Sequence, residues 1–241
     1  MSPAIRPDRS VELELLAAHE LVGGLDEVGR GSLAGPVTVG LAVVSRSTVD
    51  EYPAGLADSK QLTARRREAL VQPCQAWLTD HAVAHASPAE IDALGIIGAL
   101  RLAGRRALAL VAQRGHLPGV IILDGVADWL TAPAADLFSD SHDDAAAVQA
   151  TEVANAPAAL PTHDVPPVRM EVKGDARCAV VAAASVLAKV ERDGIMAGLD
   201  DPGYGWAANK GYASATHQEG LARLGASAQH RRSWKLPGLR V

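Results

Sequence analysis

Three apolar segments of this chain run directly into acidic side chains, and that pattern limits the folds open to it. Leu21 to Leu25 is followed by Asp26 and Glu27, Gly119 to Leu123 by Asp124, and Val168 to Val172 by Lys173, Gly174 and Asp175. An ionised carboxylate at the end of a buried segment is costly unless it is paired or binds a cation. In open α/β sheets, ligand sites gather at the carboxyl ends of the strands. The pattern therefore predicts a sheet that brings four carboxylates together, a site for hard divalent cations such as Mg²⁺. Each acid alone has a plainer use, since Asp at a strand end is an ordinary turn residue and Asp175 fits a helix N-cap. Adjacent strand residues also point to opposite faces. Asp26 and Glu27 share a site only if the strand twists or bulges, or if Glu27 reaches round its end.

The rest of the chain reads as alternating strands and helices, an α/β pattern without internal repeats. Strands are predicted at 21–28, 37–44, 82–86, 119–124 and 168–172. Gly35-Pro36 favours a turn between the first two. Helices are predicted at 63–80, 99–114, 175–196 and 213–224. Thr63 is the expected N-cap of the first, Pro73 kinks it, and Ser87 to Glu90 matches a capping box. Aromatic residues are only 3% of the chain against 48% apolar, so Ala, Leu and Val must fill the core. The longest nearly apolar run, Ala179 to Ala188, is too short to span a bilayer. Met1 to Ser10 carries three charges and two prolines, so a secretory signal is not expected. Two distant cysteines, Cys74 and Cys178, suggest reduced thiols and a cytoplasmic location. A monomer is the default expectation.

The net charge of −5 hides an uneven distribution. Residues 128–167 hold seven acids, 11 Ala and five Pro but no Lys or Arg, and without them the rest carries +2. This segment is expected to be a solvated insert. The tail from Asp201 has six Lys or Arg against two acids. Local charge, not pI, decides whether nucleic acid binds. Arg231-Arg232 suit either phosphate contacts or a solvated charge pair. Trp206 and Trp234 are expected to pack helices to the body. Arg65 to Arg67 and Arg105-Arg106 read as exposed helix faces, and His81 and His85 as edge-strand residues.

The stretch Asp26 to Pro36, DEVGRGSLAGP, places Gly29, Arg30 and Gly31 beside the acidic pair. Glycine lets the backbone approach a ligand closely. The stretch also fits G-x-G-x-x-A, with Asp50 and Glu51 about 20 residues on, which suggests a nucleotide-cofactor enzyme. That fingerprint needs a helix to start in the loop. Gly35-Pro36 and the following β-rich run leave no room for one, and two acids would repel a pyrophosphate.

With these residues placed, the sequence resembles the bacterial type 2 ribonuclease H family, RNase HII. The resemblance runs from GLDEVGRGSLAGPV at Gly24 to Val37 through ADSKQLT at Ala57 to Thr63 and EIDALGI at Glu90 to Ile96. It continues with ILDG at Ile122 to Gly125 and VKGDARCAVVAAASVLAKVERD at Val172 to Asp193. It closes with YGWAANKGYASATH at Tyr204 to His217 and HRRSW at His230 to Trp234. It implies an RNase H-like fold, a mixed five-stranded sheet flanked by helices, with a C-terminal helical extension. Residues 1–198 would form the catalytic domain and 199–241 a helical substrate-binding region.

The resemblance also implies Mg²⁺- or Mn²⁺-dependent cleavage of RNA in RNA–DNA hybrids, and incision 5′ to ribonucleotides embedded in duplex DNA. The family's catalytic, metal-binding acids fall on Asp26, Glu27, Asp124 and Asp175. Its glycine loop falls on Gly29, Arg30 and Gly31, its substrate-sensing tyrosine on Tyr212, and a lysine near the backbone phosphates on Lys60. Two divalent ions would act on the scissile phosphate to leave a 3′-hydroxyl and a 5′-phosphate. The chain departs from the family in having Asn209 where His often precedes Lys-Gly-Tyr, and in its acidic insert. A non-catalytic nucleic-acid binding protein of the same fold is the remaining alternative.

Overall fold

The computed structural model describes residues 6–131, 158–159 and 164–239. Among them, β1 (Leu21–Val28), β2 (Val37–Ser45), β3 (Asp80–Ala86), β4 (Val120–Asp124) and β5 (Val168–Glu171) form one sheet in the order β3-β2-β1-β4-β5. β1, β2 and β3 pair antiparallel, while β4 joins β1 and β5 joins β4 in parallel. The five expected strands and the mixed sheet are present. The helices are α1 (Ser10–Leu16), α2 (Ala64–Trp77), α3 (Pro88–Ala112), α4 (Gly174–Arg177), α5 (Ala179–Gly198), α6 (Trp206–Asn209) and α7 (Ala215–Leu224).

Alternation along the strands sorts side chains onto two faces. Val22, Ala42, Val44, Val120 and Ile122 pack with α2 and α5. Leu25, Val39, Leu41, Val43, Ile121 and Leu123 pack with α3. α5 lies very close to the sheet. A Cβ on Gly24 would stand 2.8 Å from the Val180 backbone, and one on Gly40 would stand 2.4 Å from the Ala184 carbonyl oxygen. Such an approach leaves room for little beyond Ala and Val, which is why so few aromatics suffice. A third cluster of Leu33, Met196, Tyr204, Trp206, Leu221 and Leu236 seats the C-terminal helical extension on the body. Trp206 packs there as expected, with Tyr204 stacked on it at 4.9 Å.

Several boundaries differ from the sequence reading. The single helix expected over 175–196 is split at Cys178, whose φ of −108° and ψ of 123° are extended. The N-terminal segment explains the break: Ala179 N–H donates to the Asp8 carbonyl at 2.9 Å, and Val180 N–H to Glu12 Oε1 at 2.8 Å. The amides that open α5 are thus satisfied from outside, and the chain can turn before them. α3 starts at its capping box, far ahead of Ala99, and Gly95 interrupts it with φ 67°. α2 ends at Trp77, because Asp80 already belongs to β3. The short helices α1 and α6 had no clear periodic signal.

Arg106 does not lie on an exposed face; it is buried and its guanidinium donates to Glu90 Oε1 at 2.6 Å. Trp129 and Leu130 are buried against the α3 face, so a solvated segment does not begin at 128. Residues 132–157 and 160–163 of the proposed insert lie outside the described residues. Among the described residues, no helix is long and apolar enough to cross a membrane.

Glu12 is fully buried, and burial pushes its carboxyl up to about 7 from an ordinary 4.5. A raised folded-state pKa favours the protonated form. The resulting stability is fully present below the unfolded value and is lost as pH rises through about 7. Between pH 5 and pH 8, Glu12→Gln should therefore gain on the parent chain by about 2 kcal/mol. Urea unfolding at the two pH values checks this, and a pH-independent difference would refute it.

Candidate active site

The β1–β4 register brings the first two acids together. The parallel pairing runs as far as Leu25 opposite Leu123, and the next residues are Asp26 and Asp124. Both continue the alternation of Val22 and of Val120 and Ile122, so both belong to the face covered by α5. The ladder between β1 and β2 continues without a bulge through Asp26 opposite Gly40 and Glu27 opposite Val39. Glu27 therefore issues from the other face. It is only half-buried, and the Asp124 charge still reaches it.

Asp175 arrives by a backbone turn. Lys173 takes the left-handed conformation, φ 59° and ψ 41°, which is costly for a residue with a Cβ. That turn delivers the Gly174 N–H to Asp124 Oδ1 at 2.7 Å and sets Asp175 in the first turn of α4. Lys60, in a 3₁₀ turn over Ser59–Gln61, donates from Nζ to Asp175 Oδ2 at 3.1 Å. An open cleft of about 490 Å³ is lined by Asp58, Lys60, Gln61, Asp124, Lys173 and Asp175, among others.

The electrostatics follow from this crowding. Burial pushes the Asp26 carboxyl up to about 8; Glu27 and Asp124 add to the shift, and the Ser185 hydroxyl and Lys60 ammonium oppose it. Glu27 is raised by burial, with Asp124 adding and Arg30 opposing. Asp175 is raised by burial and then by Asp124, against Lys60. Burial works against the Lys60 ammonium, but the Asp26 and Asp175 carboxylates outweigh it and hold Lys60 above its ordinary value. Among the described residues, no three His, Cys, Asp or Glu side chains already stand in metal-ligating geometry. The donor chemistry nevertheless fits hard cations: Asp26, Glu27 and Asp175 are grouped around Asp124, with no sulfur or imidazole among them.

The glycine loop lies beside this cluster. Arg30 Nη1 approaches Glu27 Oε1 at 3.4 Å. Gly29 has φ 83°, and a Cβ there would meet Arg192 Nε at 2.0 Å, so this glycine is demanded by the fold. Gly31 is different, because a Cβ on it would meet nothing within 4 Å. Tyr212 is brought to the far side of the loop. The Leu33 N–H donates to the Gly211 carbonyl at 2.8 Å, and the Tyr212 ring faces Arg192 at 5.6 Å and Lys189 at 5.9 Å. Asn209 supports this turn directly, its Oδ1 accepting from Gly211 N–H at 2.8 Å and its Nδ2 donating to the Tyr204 carbonyl at 2.7 Å.

The family model described as ribonuclease HII matches residues 23–237. The chain belongs to the ribonuclease HII family. It is 41% identical over 232 residues to ribonuclease HII of Streptomyces avermitilis, a match covering 95% of this chain and 83% of that one. The structure of ribonuclease H2 from Pyrococcus horikoshii matches with a TM-score of 0.54 and 27% identity, covering 90% of this chain and 94% of the other. Bst-RNase HIII, solved in complex with Mn²⁺, shares the fold at a TM-score of 0.58 and 21% identity, over 89% of this chain and 67% of its own. Membership makes this chain a type 2 ribonuclease H, a metal-dependent hydrolase of RNA paired with DNA. The nucleotide-cofactor alternative falls with it, and no helix starts in the glycine loop.

Sequence reasoning missed the groups that hold the loop. Arg231 is fully buried and bonds loop carbonyls, so it is not a surface phosphate contact, whereas Arg232 is exposed. Arg192 and Ser32 are equally buried. Their only sequence signal was their place inside the two most extended matching segments. The two loop glycines should behave differently. Gly29→Ala should lose at least about 2 kcal/mol of stability through the clash and the positive φ, while Gly31→Ala should stay within about 1 kcal/mol of the parent. Thermal unfolding of both variants checks this, and equal losses would contradict the placement of Gly31.

Proposed function

We propose that this enzyme hydrolyses the RNA strand of RNA–DNA hybrids and incises 5′ to ribonucleotides embedded in duplex DNA, leaving a 3′-hydroxyl and a 5′-phosphate. The observation that carries this reading is the grouping of Asp26, Glu27 and Asp175 around Asp124, two of them lining a cleft, beside a loop whose Arg30 and Gly31 are exposed. Asp26, Glu27, Asp124 and Asp175 would hold two Mg²⁺ or Mn²⁺ ions. Bound there, such ions lower the pKa of an attacking water and offset charge on the leaving oxygen.

The other residues bind and orient the substrate. Lys60, most of whose side chain is exposed, offers its ammonium to a phosphate while remaining against Asp175. The amides of Gly29, Arg30 and Gly31 have no protein partner among the described residues. They suit a 2′-hydroxyl, which both donates and accepts. Nothing inside the protein demands glycine at 31, so the requirement is assigned to the ribose and its phosphate. Tyr212 packs on the neighbouring sugar and reports whether it is deoxyribose.

Duplex DNA with one ribonucleotide, incubated with Mg²⁺, Mn²⁺ or EDTA, tests the reading against an all-DNA duplex. Metal-dependent incision 5′ to the ribonucleotide is expected. Asp124→Asn should lower kcat by about a thousandfold or more, the equivalent of several kcal/mol of lost charge stabilisation, with an unchanged unfolding midpoint. Full activity in that variant would overturn the assignment. Gly31→Ala should raise KM for the single-ribonucleotide duplex about tenfold while leaving the fold intact.

A further inference from the structure

Behind the glycine loop, two arginines are buried with no carboxylate within ion-pairing distance among the described residues. Arg192 and Arg231 are each fully inaccessible to solvent. Arg192 donates to the Pro36 carbonyl at 2.9 Å, the Ala34 carbonyl at 3.3 Å and the Lys210 carbonyl at 3.0 Å. Arg231 donates to the Gly29 carbonyl at 2.6 Å, the Arg30 carbonyl at 2.9 Å and the Gly35 carbonyl at 3.2 Å. Both guanidinium groups meet on one atom. Ser32 Oγ accepts from Arg192 at 2.7 Å and from Arg231 at 2.9 Å, and itself donates to the Gly29 carbonyl at 2.8 Å. That hydroxyl has no capacity left.

A buried, unneutralised cation is expensive, and two that share a partner are more so. Burial and the neighbouring Arg192 pull Arg231 down to about 9. Carbonyl dipoles offset part of the cost without cancelling the charge. The consequence is geometric as well as electrostatic. The loop's Gly29, Arg30, Ala34, Gly35 and Pro36 carbonyls are drawn inward, the exposed Arg30 and Gly31 lie at its surface, and two positive charges stand behind it. Arg192 also binds the Lys210 carbonyl and faces the Tyr212 ring, so one cation touches both the loop and the turn that carries the tyrosine.

A buried histidine pair completes the turn. Ser227 N–H donates to His230 Nδ1 at 3.0 Å, so that nitrogen carries no proton. His230 Nε2 then donates to His217 Nε2 at 3.0 Å, and His217 Nδ1 to the Tyr212 carbonyl at 3.0 Å.

We propose that Arg192 and Arg231 are positioning residues that lock the glycine loop and Tyr212 into one rigid unit, presenting its amides to the anionic sugar–phosphate at a single ribonucleotide. This rests on the substrate reading given above, and it adds that selectivity for an isolated ribonucleotide is set from behind the loop by cations that never touch the substrate. A continuous hybrid, with a 2′-hydroxyl on every nucleotide of its RNA strand, depends less on that unit.

The test uses the full chain with Arg192→Lys, Arg231→Lys and the milder Ser32→Ala, which removes only the shared acceptor. Lysine keeps the charge but not the fork of donors. Two readouts are taken: kcat and KM on the single-ribonucleotide duplex and on a continuous hybrid, and amide hydrogen exchange of Gly29 to Gly35 and of Asn209 to Tyr212. Each variant should lose at least tenfold in kcat/KM on the single-ribonucleotide duplex, mainly through KM, and less than threefold on the hybrid. Exchange should rise in the loop and in the Tyr212 turn together. Equal losses on both substrates, or faster exchange in the loop alone, would overturn the proposal. A parent enzyme that cleaves hybrid but not the single-ribonucleotide duplex would instead defeat the finer substrate reading, and the exchange data would still decide whether the two segments are one unit. Should the arginine variants fail to fold, Ser32→Ala carries both readouts.

Discussion

Burial of carboxylates at the ends of two central strands, Asp26 above all, with like charges beside them, is the constraint that the rest of this structure serves. The sheet cannot relax it, because Asp26 and Asp124 follow directly on the last paired residues of two central strands. Relief must come from groups brought in around them. Gly174 supplies an amide to Asp124, Lys60 an ammonium to Asp175, and Arg30 a guanidinium to Glu27. These are too few, so Asp26 responds to its burial by holding its proton up to about pH 8. A cluster in that state can take up protons or hard cations, which is the property that the proposed metal-binding role requires.

The scaffold that imposes this crowding is built from absence of bulk. Gly24 and Gly40 let α5 rest on the sheet backbone, and the Ala-rich face of that helix answers them. Close packing leaves little freedom for the strand ends to splay apart. The same helix then carries Arg192 at its far end, under the glycine loop, and Met196 into the C-terminal cluster. A single rigid element thus spans from the Glu12-capped start near Asp175 to the glycine loop.

Much of this was legible in the sequence. The strands declare themselves by short apolar runs, and the acids by ending those runs in a pattern that one site explains together although a turn or cap explains each alone. Motif order then supplied the family. The helix break at Cys178 was hidden, because its cause, Glu12 and Asp8, lies about 170 residues away and local propensity across Asp175 to Met196 favours one helix. Arg106 and Arg231 were misread for a related reason. An arginine is polar by type, and only tertiary contacts show that its partners are a buried carboxylate in one case and a row of carbonyls in the other. Strand parity sets Glu27 on the face opposite Asp26 unless the strand bulges or Glu27 reaches round; the ladder has no bulge, and it is the long side chain at the strand end that the Asp124 charge reaches.

The loop from Gly29 to Pro36 separates two opposite electrostatic debts. On one side stand carboxylates with too few cations, and on the other two guanidinium groups with no carboxylate in ion-pairing distance among the described residues. Neither can cancel the other by moving, since the acids are fixed by the sheet ladder and the arginines by bonds to six carbonyls, five in the loop and one at Lys210. On the substrate reading proposed above, a phosphodiester bound together with divalent ions would bring charge of both signs to this loop, its metal-facing oxygens toward the carboxylates and its sugar and flanking phosphate toward the loop amides.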